Sequence, residues 1–285
     1  MSTISTTDLI VNPDGSVYHL HLRPEDITDT ILTVGDPRRV SSITSAFERV
    51  DFKQEYREFV THRGIYKGKE LTVMSTGMGT DNIDIFLTEL DALANVDLKT
   101  RAVKKEKTAL KIIRIGTSGS MQEDLPVGTL LASDHAVGLD SLMTFYSLNQ
   151  TDFERSVSQE LKATTGLPFQ PYCVAGSSAL LDQLAFDMVK GNTVTCPGFY
   201  GPQGRVVRAK NALPDLMDNL NQYRKGDFRL TNFEMETAGY YAMGRLLGHE
   251  VLSLNAILAN RITNEFSSEP GNVVDELIHK TLERI

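Results

Sequence analysis

Hydrophobic positions recur with two different spacings along the chain, and the change of spacing separates short strands from helices. The run TILTVG (30–35) is apolar and rich in β-branched residues, which predicts a buried strand. PRRVSSITSAF follows it and predicts a helix with proline at its first position. TDNIDIFLTELDAL (80–93) has the 3.6-residue period of an amphipathic helix, and Thr80 or Asp81 is expected to cap it.

The same alternation continues to the end of the chain. A hairpin is predicted around Lys67-Gly68-Lys69, between two alternating runs in EYREFVTHRGIYKGKELTVMST. Further strands are predicted in LKIIRIGTSGS, which ends in a glycine-rich turn, in GTLLASDHAVG and in EVLSLNAILANR. Further helices are predicted in DFERSVSQELKATTG, ALLDQLAFDMVKG, LPDLMDNLNQYRKG and NVVDELIHKTLERI.

This order of elements predicts a single α/β domain over residues 1–285, with a central mixed sheet flanked by helices on both faces. No Pro/Gly/Ser-rich linker divides the chain. In open α/β sheets, ligands lie at the carboxyl ends of the strands, and GDPRR, GTSGS and ANR fall at such ends. Candidate binding residues are therefore expected at these strand ends.

The formal charge of −8 argues against nucleic acid as a partner, because duplex binding depends on neutralising phosphates. The N-terminus has no basic segment followed by an apolar run, and no apolar run approaches the roughly 20 residues that span a bilayer. Cys173 and Cys196 belong to no CxxC motif, which favours a reducing compartment and gives no sign of a zinc site. We therefore expect a cytoplasmic protein without a membrane partner.

Two glutamates flank a methionine in NFEMETAG (232–239), where an extended segment meets a helix. Paired carboxylates often perform acid and base catalysis, but residues i and i+2 share no face across a strand-to-helix turn. Taken alone, the segment favours Glu236 as a first-turn acid that the helix dipole stabilises.

Arginines accompany the strand ends. Arg38 and Arg39 in GDPRRV follow a strand and a glycine, which suits an anion site, although a helix start with exposed arginines fits equally well. Arg114 lies between two isoleucines of a buried strand and needs either a protein carboxylate or a bound anion. Arg57 is expected in a partly buried strand. Three such arginines predict a phosphate or sulfate pocket, whereas the chain has neither GxGxxG nor a P-loop.

The loop FYGPQGR (199–205) combines an aromatic ring, Phe199, with Gln203 and Arg205. These groups suit a planar ligand with carbonyls and an N–H, although a surface turn with a solvent-exposed arginine is an equal alternative. His19 and His21 would point the same way in an extended segment, but without a third ligand a metal site is not expected. No GxSxG elbow is present, so we expect chemistry without a protein nucleophile.

Six stretches together resemble the nucleoside phosphorylase family, in its uridine phosphorylase branch. They are GDPRRV, STGMGTDN, RIGTSGS, FYGPQGR, NFEMET and ANR, in the family's order. The resemblance implies a single α/β domain with a mixed, partly barrel-like sheet. It also implies cleavage of a nucleoside's N-glycosidic bond by inorganic phosphate as co-substrate, to ribose 1-phosphate and free base, without a metal or other cofactor.

The resemblance also implies a role for each site residue. The phosphate would be bound by Gly35, Arg39, Arg114 and Thr117, with Ser118 and Gly119 of the same turn. Arg57 and His19 would enter the site of a neighbouring subunit, in a homodimer or a hexamer built from dimers. Met235 would pack under the ribose, Glu236 would bind its 2′- and 3′-hydroxyls, and Glu234 would support it. Phe199 would stack on the base, Gln203 and Arg205 would bind uracil, and Arg261 would position Arg205 through water. Arg205, Gln203, Arg114 and Glu236 would be the catalytic residues.

Two departures from the family pattern refine this expectation. Purine-specific relatives usually carry an aspartate after the last long strand, where this chain has Asn260, which favours a pyrimidine base. Glu58 could serve an interface potassium ion, but Asn82 replaces the expected serine, so no ion is predicted. The alternatives are a purine or broad-specificity phosphorylase, a nucleosidase that uses water, and a nucleoside-binding protein without catalysis.

Overall fold

The computed structural model describes residues 3–285, which form fifteen strands and seven α-helices. The strands are β1 (Thr30–Val34), β2 (Arg49–Tyr56), β3 (Phe59–Tyr66), β4 (Lys69–Ser75), β5 (Val96–Asp97), β6 (Ala102–Val103), β7 (Lys111–Ser120), β8 (Leu130–Gly138), β9 (Tyr172–Ala175), β10 (Val189–Thr195), β11 (Arg224–Lys225), β12 (Phe228–Arg229), β13 (Asn232–Glu234), β14 (Glu250–Asn260) and β15 (Glu265–Phe266). The helices are α1 (Arg38–Thr44), α2 (Thr80–Asn95), α3 (Asp152–Thr165), α4 (Ser178–Leu184), α5 (Leu216–Gln222), α6 (Thr237–Leu247) and α7 (Pro270–Arg284).

Eleven strands form one mixed sheet, and five of them close on themselves. The order along the sheet is β15-β14-β8-β10-β13-β7-β1-β4-β3-β2, with β9 on β8. Because β14 pairs with both β7 and β8, the strands β7, β14, β8, β10 and β13 form a closed ring. The predicted fold class, an α/β domain with a mixed, partly barrel-like sheet, is confirmed.

Apolar residues on the two faces of the sheet enter two separate cores. On β1, Ile31 packs with α2 and α6, while Leu32 packs with α4 and α7. On β7, Ile112 and Ile113 divide in the same way. A strand that is buried on both faces has apolar residues at consecutive positions. The sequences of β1 and β7 therefore do not alternate between polar and apolar residues. The sheet therefore has helices on both faces, as predicted.

The longer predicted elements are confirmed. Helix α3 ends at Gly166, which adopts the left-handed conformation with φ +68°, as the glycine predicts. The hairpin turn lies at Lys67-Gly68, between β3 and β4.

Five local predictions are wrong. The helix predicted over LPDLMDNLNQYRKG ends at Gln222, and Arg224 and Lys225 of the same stretch form β11. Helix α2 is preceded by Gly79, which takes the N-cap position in place of Thr80 or Asp81. The helix predicted over ALLDQLAFDMVKG ends at Leu184, and its last residues begin β10. Strand β7 continues through GTSGS to Ser120, where a glycine-rich turn was expected. The run EYREF is broken by a turn at Arg57, whose φ is +55°.

None of the helices described within residues 3–285 is both long and apolar enough to cross a membrane.

Candidate active site

Four parallel strands end at one edge of the sheet and bring the motif stretches together. β1 pairs in parallel with β4 and β7, and β7 pairs in parallel with β14. Their carboxyl ends lead into Gly35, Thr76, Met121 and Arg261 respectively. Helix α6 begins beside this edge, because Glu236 at its N-cap reaches the backbone of Gly79.

Arg114 lies at the centre of this edge and is buried, with 4% of its surface exposed. Its Nη2 donates to Glu236 at 2.6 Å and lies 3.0 Å from the Glu234 carboxylate. Its Nη1 donates to Asn255 at 3.1 Å and Ser253 at 3.2 Å. Burial opposes the charge of Arg114, but the two carboxylates hold its pKa above the usual value. The protein itself thus supplies the carboxylate that a buried arginine requires.

The two glutamates of NFEMETAG have different contacts. Glu236 accepts from the Gly79 N–H at 2.8 Å and from Arg114, and makes no capping bond to α6. Burial raises the pKa of Glu236, and the Arg114 charge opposes this. Glu234 accepts from the N–H groups of Glu236 and Thr237, each at 2.9 Å. Glu234 is therefore the acid that stabilises the first turn of α6, and Glu236 is directed into the site.

Arg39 is half-buried near Arg114. Its neighbour Arg38 is exposed and pairs with Asp36 at 3.0 Å, whereas Arg39 makes no ion pair among residues 3–285. Burial lowers the pKa of Arg39, and the charge of Arg114 lowers it further although Asp36 opposes the shift. Two guanidinium groups within electrostatic reach, one of them without a carboxylate, attract an anion.

The GTSG segment of β7 presents its residues to two sides. Ser118 is buried and its hydroxyl accepts from Asn232 Nδ2 at 2.9 Å. A Cβ on Gly119 would lie 3.3 Å from the Phe233 ring. Since Asn232 and Phe233 are neighbours on β13, they face opposite sides of the strand, and so do Ser118 and Gly119. Ser118 thus belongs to the barrel interior, and Thr117, which is half-buried, shares the opposite side with Gly119.

The loop FYGPQGR brings its predicted residues together. The Arg205 guanidinium carbon lies 3.7 Å from the centre of the Phe199 ring, and Nη1 donates to Gln203 Oε1 at 2.5 Å. Gln203 is buried, with 3% exposed, and its backbone carbonyl accepts directly from Arg261 at 3.1 Å. Burial lowers the pKa of Arg205, and Arg261 lowers it further. Because Arg205 holds the amide oxygen of Gln203, the amide NH₂ is directed away from it and can donate to a ligand.

Arg57 lies apart from the other two arginines within one chain. It is exposed at the turn between β2 and β3, and its guanidinium carbon lies 5.4 Å from the Tyr56 ring centre and 5.8 Å from that of Tyr18. The expectation of a partly buried strand at Arg57 is therefore wrong, because the polar–apolar alternation of YREF continues across a turn. The structure groups Arg39 with Arg114 only.

The two histidines near the N-terminus have separate surroundings. His19 Nδ1 lies 2.7 Å from the buried carboxylate of Glu89, which also accepts from the N–H groups of His19 and Leu20. His21 has φ +53° and stacks on Tyr56 with ring centres 3.8 Å apart. The segment is a turn, so the extended geometry in which both side chains would point the same way does not occur. Glu89 was not among the candidate residues, since nothing in its helical context marks it.

Met235 is half-buried between the two glutamates at the strand-to-helix junction. Cys173 and Cys196 are free and buried, and burial raises the pKa of both thiols. Within residues 3–285, no group of three or more histidine, cysteine or acidic side chains is arranged to hold a metal ion. The site therefore consists of cationic and neutral hydrogen-bond donors around the carboxyl group of Glu236.

The chain is similar to known phosphorylases. A family model described as the phosphorylase superfamily matches residues 29–284. The uridine phosphorylase of Thermococcus kodakarensis is 30% identical over 257 residues, which cover 89% of this chain and 80% of that protein. A DeoD-type purine nucleoside phosphorylase of Clostridium perfringens is 30% identical over 248 residues, which cover 87% and 88%.

Two solved structures show the same architecture. A Trypanosoma brucei nucleoside phosphorylase, described as showing uridine phosphorylase activity, matches with a TM-score of 0.87 and 28% identity over 97% of this chain and 99% of that chain. Purine nucleoside phosphorylase from Toxoplasma gondii matches with a TM-score of 0.65 and 20% identity, which shows the shared fold alone. Pyrimidine and purine enzymes therefore both match, so these similarities do not distinguish between the two kinds of base.

Proposed function

Because the chain belongs to the phosphorylase superfamily, and its motifs to the nucleoside phosphorylases within it, we propose that it cleaves uridine with inorganic phosphate. The products are uracil and ribose 1-phosphate, and no metal or organic cofactor takes part. The family resemblance of the six motif stretches is confirmed by the match over residues 29–284.

The observation that carries the proposal is the environment of Arg39. It is a half-buried cation, with no ion pair among residues 3–285, within electrostatic reach of Arg114. Burying a guanidinium group without a counter-ion costs free energy. A dianionic ligand at this edge of the sheet would offset that cost and reduce the repulsion between the two cations. Gly35 stands at the start of the loop that carries Arg39, as the family resemblance implies for a phosphate site.

Asn260, at the end of β14, favours a pyrimidine base. Its amide donates to the carbonyls of Gln122 and Leu125 at 2.9 and 3.0 Å, and its oxygen accepts from Ile262 and Thr263. Every polar atom of this side chain is used to fold the loop. The aspartate that most purine-specific relatives carry at this position can protonate the departing base, whereas the amide of Asn260 has no acidic proton.

The charges that develop during the proposed reaction are opposite to those of the groups placed next to them. As the C1′–N1 bond breaks, the ribose becomes cationic and the base anionic. Phosphate held at Arg39 and Arg114 faces the cationic carbon, and Glu236 holds the ribose hydroxyls. Arg205 and the Gln203 amide donate to the uracil oxygens, where the negative charge develops. Each oriented donor of this kind stabilises a transition state by about 3 kcal/mol.

Arg57 and His19 enter this proposal through a second copy of the chain. Arg57 is exposed and His19 is half-buried, and neither is among the charged groups that act on Arg39. Glu89 holds His19 Nδ1, so Nε2 is free to accept from a ribose hydroxyl of a neighbouring site. A homodimer is the smallest assembly that meets this requirement.

The decisive experiment measures uracil release from uridine in the presence and absence of phosphate. We expect turnover that stops when phosphate is removed, and equal turnover without phosphate would instead identify a nucleosidase. Inosine and thymidine are tested in parallel under the same conditions. Faster cleavage of inosine than of uridine would overturn the base assignment and favour the purine alternative that the Clostridium perfringens relative represents.

A further inference from the structure

Polar side chains from all five strands of the closed barrel are hydrogen-bonded to one another. The contacts begin at Arg114 on β7, pass around the barrel from strand to strand and return to β7 at Ser118. Each member is buried, with at most 8% of its surface exposed. We call this set the polar ring, and in the order of the strands β7, β14, β8, β10, β13 and β7 it consists of Arg114, Asn255, Ser133, Thr193, Asn232 and Ser118.

The polar ring lies inside the barrel. Leu254, Ala132 and Val194 are each next to a ring member in the sequence, and they pack in the cores outside the barrel. Since side chains alternate along a strand, the ring members point to the opposite side, which is the barrel interior. Side chains fill the interior of a barrel of this size, and here many of them are polar.

The charge of Arg114 fixes the orientation of the first members. A guanidinium group can donate but cannot accept, so the Asn255 atom 3.1 Å from Nη1 is the amide oxygen. The Asn255 nitrogen then faces the other way and donates to Ser133 Oγ at 3.2 Å. Because Ser133 accepts this bond, it directs its own hydrogen to Thr193 Oγ1, 2.6 Å away.

The same direction continues to the end of the polar ring. Thr193 accepts from Ser133 and donates to Asn232 Oδ1 at 3.0 Å. The Asn232 nitrogen donates to Ser118 Oγ at 2.9 Å. Every bond of the ring therefore points away from the cation at its start, and hydrogen bonds that are aligned in this way polarise and strengthen one another.

We propose that the polar ring holds the Arg114 guanidinium in place for phosphate, with Asn255 as its positioning residue. Two carboxylates hold Nη2, whereas Nη1 is held by two neutral side chains, Asn255 and Ser253. The ring fixes the orientation of Asn255 and joins Arg114 to the GTSG segment, which the family resemblance also assigns to phosphate. This inference rests on the proposed function, in which Arg114 binds phosphate.

Thr193 allows the sharpest test, because Ser133 and Asn255 stand between its hydroxyl and Arg114. Thr193→Val keeps the shape of the side chain and removes the hydroxyl, whereas Thr193→Ser keeps the hydroxyl and removes a methyl group. If the ring positions Arg114, the valine variant should bind phosphate more weakly and the serine variant should not. A role in packing alone predicts the opposite order.

The experiment combines calorimetric titration with inorganic phosphate and steady-state kinetics with uridine. For Thr193→Val we expect the Kd and the KM for phosphate to rise roughly fivefold, about the effect of one lost hydrogen bond. The KM for uridine should rise less, because the Gly79 N–H also holds Glu236. Thr281→Val is the matched control, since this fully buried hydroxyl donates to the Leu277 carbonyl within α7. It should lower the melting temperature and leave the phosphate constants unchanged.

Several outcomes would overturn the inference. Phosphate constants in Thr193→Val equal to those of the wild type would exclude the ring, and Ser133→Ala decides the same point if Thr193→Val does not fold. A loss in Thr193→Ser as large as in Thr193→Val would assign the effect to packing, and an equal loss in Thr281→Val would assign it to general destabilisation. Titration with phosphate needs no turnover, so a wild type that bound phosphate but cleaved no nucleoside would overturn the proposed function alone. A wild type that bound no phosphate would overturn both.

Discussion

The Arg114 side chain runs along its own strand and passes over Gly116, two residues further on. A Cβ on Gly116 would lie 2.0 Å from Nη1 and 2.5 Å from Cζ. The guanidinium cannot move aside freely, because Glu234 and Glu236 hold it from the other side. Only glycine at position 116 therefore leaves room for the Arg114 side chain where it lies. The glycines of this segment were expected to form a turn instead.

We expect Gly116→Ala to lower kcat/KM for uridine at least tenfold and to destabilise the fold by about 1–3 kcal/mol, the usual cost of overpacking. Denaturant unfolding and steady-state kinetics measure the two effects. Gly271→Ala is the control, since a Cβ there meets nothing within 4 Å. Wild-type kinetics in Gly116→Ala would show that the position of Arg114 does not matter for turnover.

Arg205 allows a second test at the scale of one residue. It lies in a half-exposed loop over Phe199, so little stability depends on it. Loss of one donor to the departing base should cost about 3 kcal/mol in the transition state, or roughly a hundredfold in kcat/KM. Arg205→Ala is compared with Arg208→Ala, an exposed arginine of the same loop. Equal constants for the two variants would remove Arg205 from the mechanism.

At the scale of elements, the start of α6 connects folding with the site. Glu234 accepts two N–H groups of the first turn, and Thr195 Oγ1 accepts a third, from Ala238, at 2.8 Å. The same Glu234 carboxylate lies 3.0 Å from Arg114. A change at this cap therefore affects both the helix and the arginine.

Glu234→Gln should lower stability by about 1–2 kcal/mol, the range for a lost helix cap, and should also lower kcat/KM. Thr151→Ala is the matched control, because Thr151 caps α3 in a reciprocal box with Glu154. That variant should lose similar stability with unchanged kinetics. The expected contrast appears when chemical unfolding and uridine turnover are measured on the same preparations. A purely structural cap at Glu234 would leave its kinetics like those of Thr151→Ala.

Element prediction succeeded where a single period extends over a whole element. α2, α3, α7, β1 and β14 each repeat one apolar spacing from end to end, and that spacing reflects the face they bury. It failed where the pattern crosses a boundary. The turn at Arg57 contains neither glycine nor proline. After Leu184 the apolar residues continue into β10 with only Asp187 between them, so the sequence does not mark the end of the helix.

The same distinction applies to the site. Arg39, Arg114 and the FYGPQGR residues lie in local motifs at strand ends, so their sequence context marked them. Ser253 and Asn255, which hold Arg114, are 139 and 141 residues away in a strand that reads as ordinary core. Only the pairing of β7 with β14 brings them together, and no local pattern encodes that pairing.

For the whole molecule, buried charges connect the helices to the barrel. Glu154 on α3 accepts from both terminal nitrogens of Arg245 on α6, at 2.8 and 2.7 Å, and from the Ala175 N–H at the end of β9. One carboxylate thus joins two helices and the sheet. Burial alone would raise the pKa of Glu154, but these donors and the Thr151 N–H lower it to about 2.

This pKa gives the stability a defined dependence on pH. The ordinary value for a glutamate is 4.5, so the unfolded chain binds the proton more readily than the folded one. The ionised carboxylate therefore stabilises the fold fully above pH 4.5, and this contribution is lost as the pH falls from 4.5 toward 2. Glu154→Gln removes the titration, so the melting temperatures of wild type and variant should differ most near neutral pH and converge below pH 4.5. Asp152→Asn, at an exposed acid of the same helix, should follow the wild type across this range. Scanning calorimetry between pH 7 and 3 measures these differences, and a gap between wild type and Glu154→Gln that stays constant with pH would show that Glu154 does not control the acid stability.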